Sequence, residues 1–144
     1  MGFTSLQNAI IALVDDIVAI KAVYNYGVRI LQEEIKEYPV AVVLPSDNAS
    51  EYLSFGENER TYTFKVFVVY KCEATSIATA QVAVQDIIDA IIDKFDDDAN
   101  NTLGGLCYRI EAAPSNFEQV NASSSDVAIV ATAVLRCHQL FNVK

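Results

Sequence analysis

Between residues 61 and 95 the spacing of the apolar side chains changes from every second residue to every third or fourth, and this change is the strongest constraint on the fold. In residues 61–71, aromatic and aliphatic side chains alternate with Thr and Lys at most positions, as in a strand with one buried face. In residues 75–95, the apolar side chains instead recur on one side of a helix. The chain therefore predicts both element types within one domain.

A second amphipathic helix is predicted over residues 4–20, capped by Thr4 or Ser5. One apolar stripe recurs at offsets of three and four: Leu6, Ile10, Leu13, Val14 and Ile17. Ile11 and Val18 lie off that stripe, so the predicted helix is apolar over more than half of its circumference. A helix that covers a small sheet needs only one apolar face. We therefore predict that Ile11 and Val18 contact a partner subunit.

Further strands are predicted where β-branched and aromatic residues cluster between turn residues: 22–26, 39–44, 52–55, 106–113 and 127–141. Residues 56–60 contain Gly and are expected to form a hairpin loop, which pairs the strand at 52–55 with that at 61–71. The last strand is almost uncharged and is expected to be central or covered on both faces. The chain, residues 1–144, is thus predicted to be one α+β domain, in which an antiparallel or mixed sheet is covered by two helices in the order α-β-β-β-β-α-β-β.

The net charge and the spacing of the cysteines exclude several classes of function and cellular location. Ten Lys and Arg against 19 Asp and Glu give a formal net charge of −9, which repels phosphates, so sequence-specific nucleic-acid binding is not expected. The first residues lack a basic segment, and Asp15 and Asp16 interrupt their apolar run, so neither a secretory signal nor a membrane span is expected. Three cysteines without C-x-x-C spacing favour free thiols in the cytosol.

Few residues could carry chemistry. The single histidine, His138, is expected to be an ordinary surface or strand-edge residue, because its neighbour Cys137 points to the opposite face of a strand. Asp86, Asp89 and Asp93 share one helix face and are expected to be solvated there, opposite the apolar stripe. The sequence has no phosphate-binding, zinc or serine-hydrolase motif. We therefore expect no enzyme activity, no cofactor and no metal site.

Two strand motifs carry a resemblance to a known family. Residues 37–47 read EYPVAVVLPSD, and residues 58–64 read NERTYTF, an N-x-R-x-Y-x-F pattern. With a helix before them and a long helix and two strands after them, they resemble the tail terminator, or tail completion, proteins of long-tailed bacteriophages. The resemblance implies a structural virion protein: a homo-hexameric ring that caps the tail tube, stops its polymerisation and joins the tail to the head or neck connector.

The resemblance also implies partners and surface roles. The partners are the major tail tube protein and a head-completion or neck protein, at the tail-neck junction of a virion assembled in the host cytoplasm. Loop residues are expected to contact these proteins: Ser46, Asp47, Asn48, Glu57, Asn58 and Arg60. DNA would pass through the ring without sequence-specific binding. The helix aspartates at 86, 89 and 93 are expected to face this channel, and six copies would carry a formal charge of 6 × −9 = −54.

Two other interpretations stay open. The chain could be a non-viral α+β domain that binds a ligand or a protein as a monomer or dimer. A less favoured alternative is an enzyme that uses the aspartate cluster with Mg²⁺. Molecular mass in solution separates a hexamer from the first alternative.

Overall fold

A computed structural model of the chain describes residues 2–25, 38–54, 57–121 and 126–142. Its helices and strands follow in the order α1 (Phe3–Asp15), β1 (Ala22–Tyr24), β2 (Val40–Ser54), β3 (Glu57–Glu73), α2 (Ile77–Asp96), β4 (Arg109–Asn121) and β5 (Asp126–Asn142), with short 3₁₀ turns at Ala74–Ser76 and Leu103–Gly105. The predicted α+β fold is confirmed. The charged segment at 29–37, for which a helical turn or a loop was expected, lies outside the described residues.

The five strands form one mixed sheet in the order β1-β2-β3-β5-β4. β1 pairs with β2 in parallel, and all other neighbours are antiparallel. β5 lies between β3 and β4, so the prediction of a central last strand is confirmed. The β2–β3 and β3–β5 ladders are long, because β3 and β5 have 17 residues each and pair along their full length.

Strands continue through three segments that lie between the predicted strands: residues 45–51, 57–60 and 114–121. The predicted strands at 39–44 and 52–55 are one strand, β2, so three strands and not four precede α2. Pro45 sits beside a register shift in the β2–β3 ladder, and Pro114 beside a similar shift in the β4–β5 ladder. A bulge tolerates proline because the residue does not have to donate to the ladder there. Likewise, residues 57–60 belong to β3 and not to a hairpin loop.

Both helices pack on the same face of the sheet, where they form one apolar core. α1 buries Leu6, Ile10 and Val14, and α2 buries Ala80, Val84, Ile87, Ile88, Ile91 and Phe95. These side chains meet alternate residues of β3 and β5, as the period of two in a strand requires. At the start of α1, the Phe3 ring contacts Tyr62 and Phe64 edge-on, with centroids 4.8 Å and 5.6 Å apart. Neither described helix is long and apolar enough to span a bilayer.

Helix α1 ends at Asp15, five residues before its predicted end. Acidic side chains are unfavourable at a helix C-terminus, where the macrodipole is negative, and Asp15 and Asp16 stand there. The chain then makes tight turns, in which the Ile17 N–H donates to the Val14 carbonyl at 3.1 Å and the Ile20 N–H to the Ile17 carbonyl at 3.0 Å. Ile20 is thereby buried in the core.

Two asparagine side chains cap the C-terminus of α2. The Asn100 and Asn101 amides donate to the carbonyls of Lys94 at 3.0 Å and Phe95 at 3.1 Å, groups that have no helical partner beyond the last turn. Asn101 also donates to the Ile110 carbonyl at 3.1 Å, which ties the helix end to β4. The helix thus ends at Asp96, the first residue of a run of three aspartates.

The β3 strand extends further than its described core residues. The described core residues of β3 end at Tyr62, whereas the ladder with β5 continues to the pair Glu57 and Asn142. The paired ends of three strands, residues 50–54, 57–61 and 138–142, are called the arm below. Five residues at about 3.3 Å each make the arm about 16 Å long.

Candidate functional site

The two predicted interface residues of the first helix have different surroundings. Ile11 is partly buried and packs against the core of its own chain. Val18 lies in the turn after α1, not on the helix, and is 92% exposed. The early end of α1 therefore removes the second apolar helix face that the sequence predicted. The interface role of both residues stays a prediction, and Val18 is the one whose side chain is available for it.

The predicted contact loops lie in strands. Asp47 and Asn48 pair with Thr63 and Tyr62 on β3, so the backbone there is part of the ladder. Glu57 and Asn58 belong to the arm, where β3 pairs with both β2 and β5. Of the six predicted contact residues, Ser46 and Arg60 have described side chains, and both are exposed. The contact role stays a prediction, but it now concerns a strand surface and not loops.

The predicted acidic helix face is present on α2. Asp86, Asp89 and Asp93 are all exposed, on the side of the helix opposite its buried residues. We call these three residues the acidic face. In the described part of the chain, no group of three or more His, Cys, Asp or Glu side chains is arranged to hold a metal ion. Whether the acidic face lines a channel stays a prediction.

A polar cluster that the sequence did not reveal surrounds His138 on β5. The ring Nδ1 lies 3.1 Å from Oε1 of Glu59 and 3.1 Å from Oγ1 of Thr61, both on β3. The ring Nε2 lies 3.1 Å from Oε1 of Glu111 on β4. The His138 side chain is only 9% exposed, so the expectation of an ordinary surface residue is wrong. It is buried because side chains from both sides pack around the ring: Glu59 and Thr61 on β3, and Tyr108 and Glu111 at the start of β4.

Tyr108 and Arg109 extend this cluster at the start of β4. The Tyr108 hydroxyl donates to Oε2 of Glu59, and its ring centroid lies 6.0 Å from that of His138. The Tyr108 N–H donates to the His138 carbonyl at 2.9 Å. Nη2 of Arg109 donates to Oε1 of Glu111 at 2.8 Å. Glu59, Thr61, Tyr108, Arg109, Glu111 and His138 are called the His138 cluster below.

Hydrogen bonding sets the electrostatics of the His138 cluster. The donated Tyr108 hydroxyl lowers the pKa of Glu59 below its ordinary value of 4.5, and the His138 ring lowers it further. The same bond raises the pKa of Tyr108, because the phenolate would face the Glu59 carboxylate. Glu59 is therefore anionic at neutral pH. The two carboxylates contact different ring nitrogens, so the cluster joins three strands and leaves neither nitrogen available as a metal ligand.

No protein-family model matches the chain, and no curated protein matches it significantly. Function therefore has to be inferred from these surfaces and from the resemblance that the two strand motifs carry.

Two exposed apolar side chains lie on the side of the molecule formed by α2 and β4. Phe117 on β4 is 46% exposed, and Val82 on α2 is 55% exposed. Phe117 lines a shallow pocket of about 130 Å³ together with Gln81 of α2 and Ile129 of β5. In the described part of the chain, no strand pairs with the outer edge of β4. This side therefore combines apolar side chains with free backbone hydrogen-bonding groups.

Two of the cysteines pack in the core. Cys107 and Cys137 are buried free thiols. A hydrogen bond between them, with burial, raises the pKa of Cys137 far above its ordinary value, while the same bond lowers that of Cys107. Cys137 is thus the donor of the pair and stays protonated. Cys72 is partly buried against the same core.

Proposed function

We propose that this protein is a bacteriophage tail terminator, which forms a homo-hexameric ring on the end of the tail tube. The observation that carries the proposal is the pairing of the two resemblance motifs. Residues 40–47 and 58–64 lie on adjacent antiparallel strands, with Pro45 opposite Phe64 and Asp47 opposite Thr63. α1 precedes this pair, and α2, β4 and β5 follow it. This is the element order that the resemblance implies.

The distribution of exposed apolar side chains supports a ring. A closed ring uses heterologous contacts, which require two different patches on each subunit. Val18 lies between α1 and β1, at one edge of the sheet. Phe117 lies on β4, the strand at the other edge of the sheet, and Val82 is exposed on α2. Apolar surface at both edges suits head-to-tail packing of neighbouring subunits.

The charge distribution supports passage of DNA without capture. Each subunit has a net charge of −9, so the formal charge of a hexamer is −54. The acidic face is exposed and contributes three of these charges. A surface of this sign repels the phosphate backbone, which a channel for moving DNA requires.

The arm is the surface we assign to the tail and neck partners. It lies beyond the described core residues of β3, and the predicted contact residues Glu57, Asn58 and Arg60 lie on its β3 strand. Its backbone is held by ladder hydrogen bonds on both sides of β3, so its position relative to the rest of the sheet is fixed. Ser46 and the pair Asp47 and Asn48 lie nearer the core on β2.

Light scattering on the purified protein tests the assembly. The chain has a mass of 15.8 kDa, so a hexamer should have a mass of about 95 kDa. Electron microscopy should show rings, and the protein should stop elongation when added to polymerising tube protein of the same virus. A chain that stays monomeric or dimeric, both alone and with tube protein, and that leaves tube length unchanged would support the binding-domain alternative instead.

A further inference from the structure

Two free thiols from different elements meet on the core side of the sheet. Cys137 lies on β5, and Cys107 lies in the loop that leads into β4. Both are buried among the residues of the apolar core. The Cys137 thiol donates a hydrogen bond to the Cys107 sulfur, although the two residues are 30 apart in the sequence. The fold therefore brings the two sulfur atoms into contact.

The backbone around this thiol pair is held in place. The Tyr108 N–H donates to the His138 carbonyl at 2.9 Å, and the Gln139 amide donates to the Leu106 carbonyl at 2.6 Å. Residues on both sides of the loop cysteine are thus bonded to β5 next to the strand cysteine. A disulfide requires two cysteines whose Cβ atoms already lie close together, because deviations from its geometry store strain. These hydrogen bonds keep the two cysteines adjacent without movement of either strand.

The two thiols differ in access and in acidity. Cys107 is 5% exposed and Cys137 is 0% exposed, so a small oxidant reaches Cys107 first. The hydrogen bonds from Cys137 and from the Arg109 N–H lower the pKa of Cys107, which favours its thiolate. The bond to Cys107 and burial raise the pKa of Cys137. Cys107 is therefore the nucleophile of the pair, and Cys137 is the thiol that reacts second.

We propose that Cys107 and Cys137 are an oxidation site, which a hydroperoxide converts into a reversible disulfide between β5 and the loop that leads into β4. The Cys107 thiolate attacks one oxygen of hydrogen peroxide: an S–O bond forms, the O–O bond breaks, and hydroxide leaves and takes up the proton that Cys107 had lost. The Cys137 sulfur then attacks the Cys107 sulfenic acid: the S–S bond forms, and the hydroxyl leaves with the Cys137 proton as water. Two thiols are oxidised, and one peroxide is reduced to two waters. The site does not depend on the proposed ring function.

The third cysteine is an internal control. Cys72 lies on β3 opposite Val127, which is ten residues along β5 from Cys137. At about 3.3 Å per residue the separation is about 33 Å, far beyond the reach of a disulfide. Of the three pairings that three cysteines allow, the structure therefore favours the one between Cys107 and Cys137.

Mass spectrometry of the folded protein tests the pairing. After treatment with hydrogen peroxide, the intact chain should be lighter by two hydrogen atoms, and dithiothreitol should restore its mass. Trypsin cleaves after Arg109 and Arg136, so the two cysteines fall in different peptides, which the disulfide should link. A linkage that includes Cys72, a linkage that forms only in denaturant, or two thiols that can still be alkylated after peroxide treatment would overturn the proposal.

Two variants identify the order of the steps. Cys137→Ser removes the second thiol, so peroxide should leave a sulfenic acid on Cys107, which dimedone labels. Cys72→Ser is the matched control and should form the same disulfide as the wild type. Dimedone labelling at residue 137 in Cys107→Ser, with none at residue 107 in Cys137→Ser, would refute the assignment of Cys107 as the nucleophile.

Thermal unfolding measures the consequence for the fold. A disulfide that closes a loop of about 30 residues constrains the unfolded chain, so the oxidised wild type should unfold on the order of 5–10 °C above the reduced protein. Cys72→Ser should show the same shift on oxidation, and Cys137→Ser should show none. An unchanged or lower midpoint in a chain whose mass shows the bond would mean that the bond strains the fold, and would refute a preformed site.

Discussion

Val18→Glu separates the effect of a substitution on assembly from its effect on folding. The side chain is 92% exposed, so its replacement should change the free energy of unfolding of a subunit by no more than about 0.5 kcal/mol. Ile11 is a poorer choice, because it packs against the core and a glutamate there would destabilise the subunit itself. Loss of assembly in Ile11→Glu would not distinguish the two causes.

The expected magnitude follows from the exposed area. Full burial of a valine side chain contributes about 1.5 kcal/mol, and nearly all of this is available at Val18. Burying a carboxylate in the same place adds a desolvation cost, so each contact that includes Val18 should lose at least about 2 kcal/mol. That loss weakens each subunit contact about 30-fold. A hexamer has six such contacts, so the ring should dissociate over a narrow range of concentration.

Light scattering over a dilution series measures the effect. The Val18→Glu variant should have a mass near the 15.8 kDa of the monomer at concentrations where the wild type remains assembled. Its circular dichroism spectrum should be unchanged. Gln85→Glu, at an exposed position on α2, adds the same charge without removing apolar surface and is the control. If Val18→Glu assembled as tightly as the wild type, Val18 would lie outside the subunit contact, and the edge assignment would be wrong.

Three further predictions concern charge, pH and packing. Replacing the three aspartates of the acidic face with Asn changes the net charge from −9 to −6 and should leave fold and assembly intact. Binding to duplex DNA at low salt should increase, as measured by the anisotropy of labelled DNA. If the anisotropy were the same as with the wild type at every salt concentration, this face would point away from the channel. The pKa of Glu59 is lower in the folded state than its ordinary value of 4.5, so the stability that ionised Glu59 contributes is present above pH 4.5 and is lost as the pH falls through the folded-state pKa. The midpoint of denaturant unfolding should decrease over this pH range, and Glu59→Gln should abolish this part of the pH dependence. Ile91→Ala should lower the free energy of unfolding, measured in urea, by about 2–5 kcal/mol, because Ile91 is fully buried. Ile92→Ala should lower it clearly less, because Ile92 is only partly buried. Equal losses would contradict the assigned core face of α2.

Local periodicity was sufficient to predict the elements that bury one face. The α2 stripe and the alternation in β3 identify most of their buried residues, because each pattern depends only on the element's own geometry. The predicted strands ended just before Pro45 and Pro114, whereas the strands in the structure continue through both prolines, and this error has a physical reason. A proline ends a strand unless a bulge relieves it of its ladder hydrogen bond, and the bulge depends on the register of a partner strand distant in sequence.

The His138 cluster could not be predicted for the same reason. Its members come from residues 59–61, 108–111 and 138, and they meet because Thr61 and Arg109 both pair with His138. A shift of one residue in either ladder would turn one set of side chains to the other face of the sheet. The alternation of Arg109 and Glu111 with Ile110 did indicate that the two charged residues share a face. Nothing local indicated that His138 would lie between them.

The relative lengths of strands and helices explain why a polar cluster stands at the base of the arm. β3 has 17 residues and spans about 56 Å, whereas the 20 residues of α2 span about 30 Å. β3 therefore extends beyond its described core residues, which end at Tyr62, and the described contacts of the arm are ladder hydrogen bonds, the His138 cluster and the bond from Gln139 to the Leu106 carbonyl. Such contacts contribute less per residue than core burial, so the arm should open more easily than the sheet beneath the helices. A surface that is ordered by few contacts can adjust to a partner, and a partner bound to the arm would in turn stabilise it by mass action. Hydrogen exchange should therefore show protection gained in residues 50–54 and 57–61 when tube or neck protein binds, with the sheet under α2 unchanged. Protection gained instead along β4 and α2 would mean that the partner docks at the edge of the sheet, and that the arm has another role.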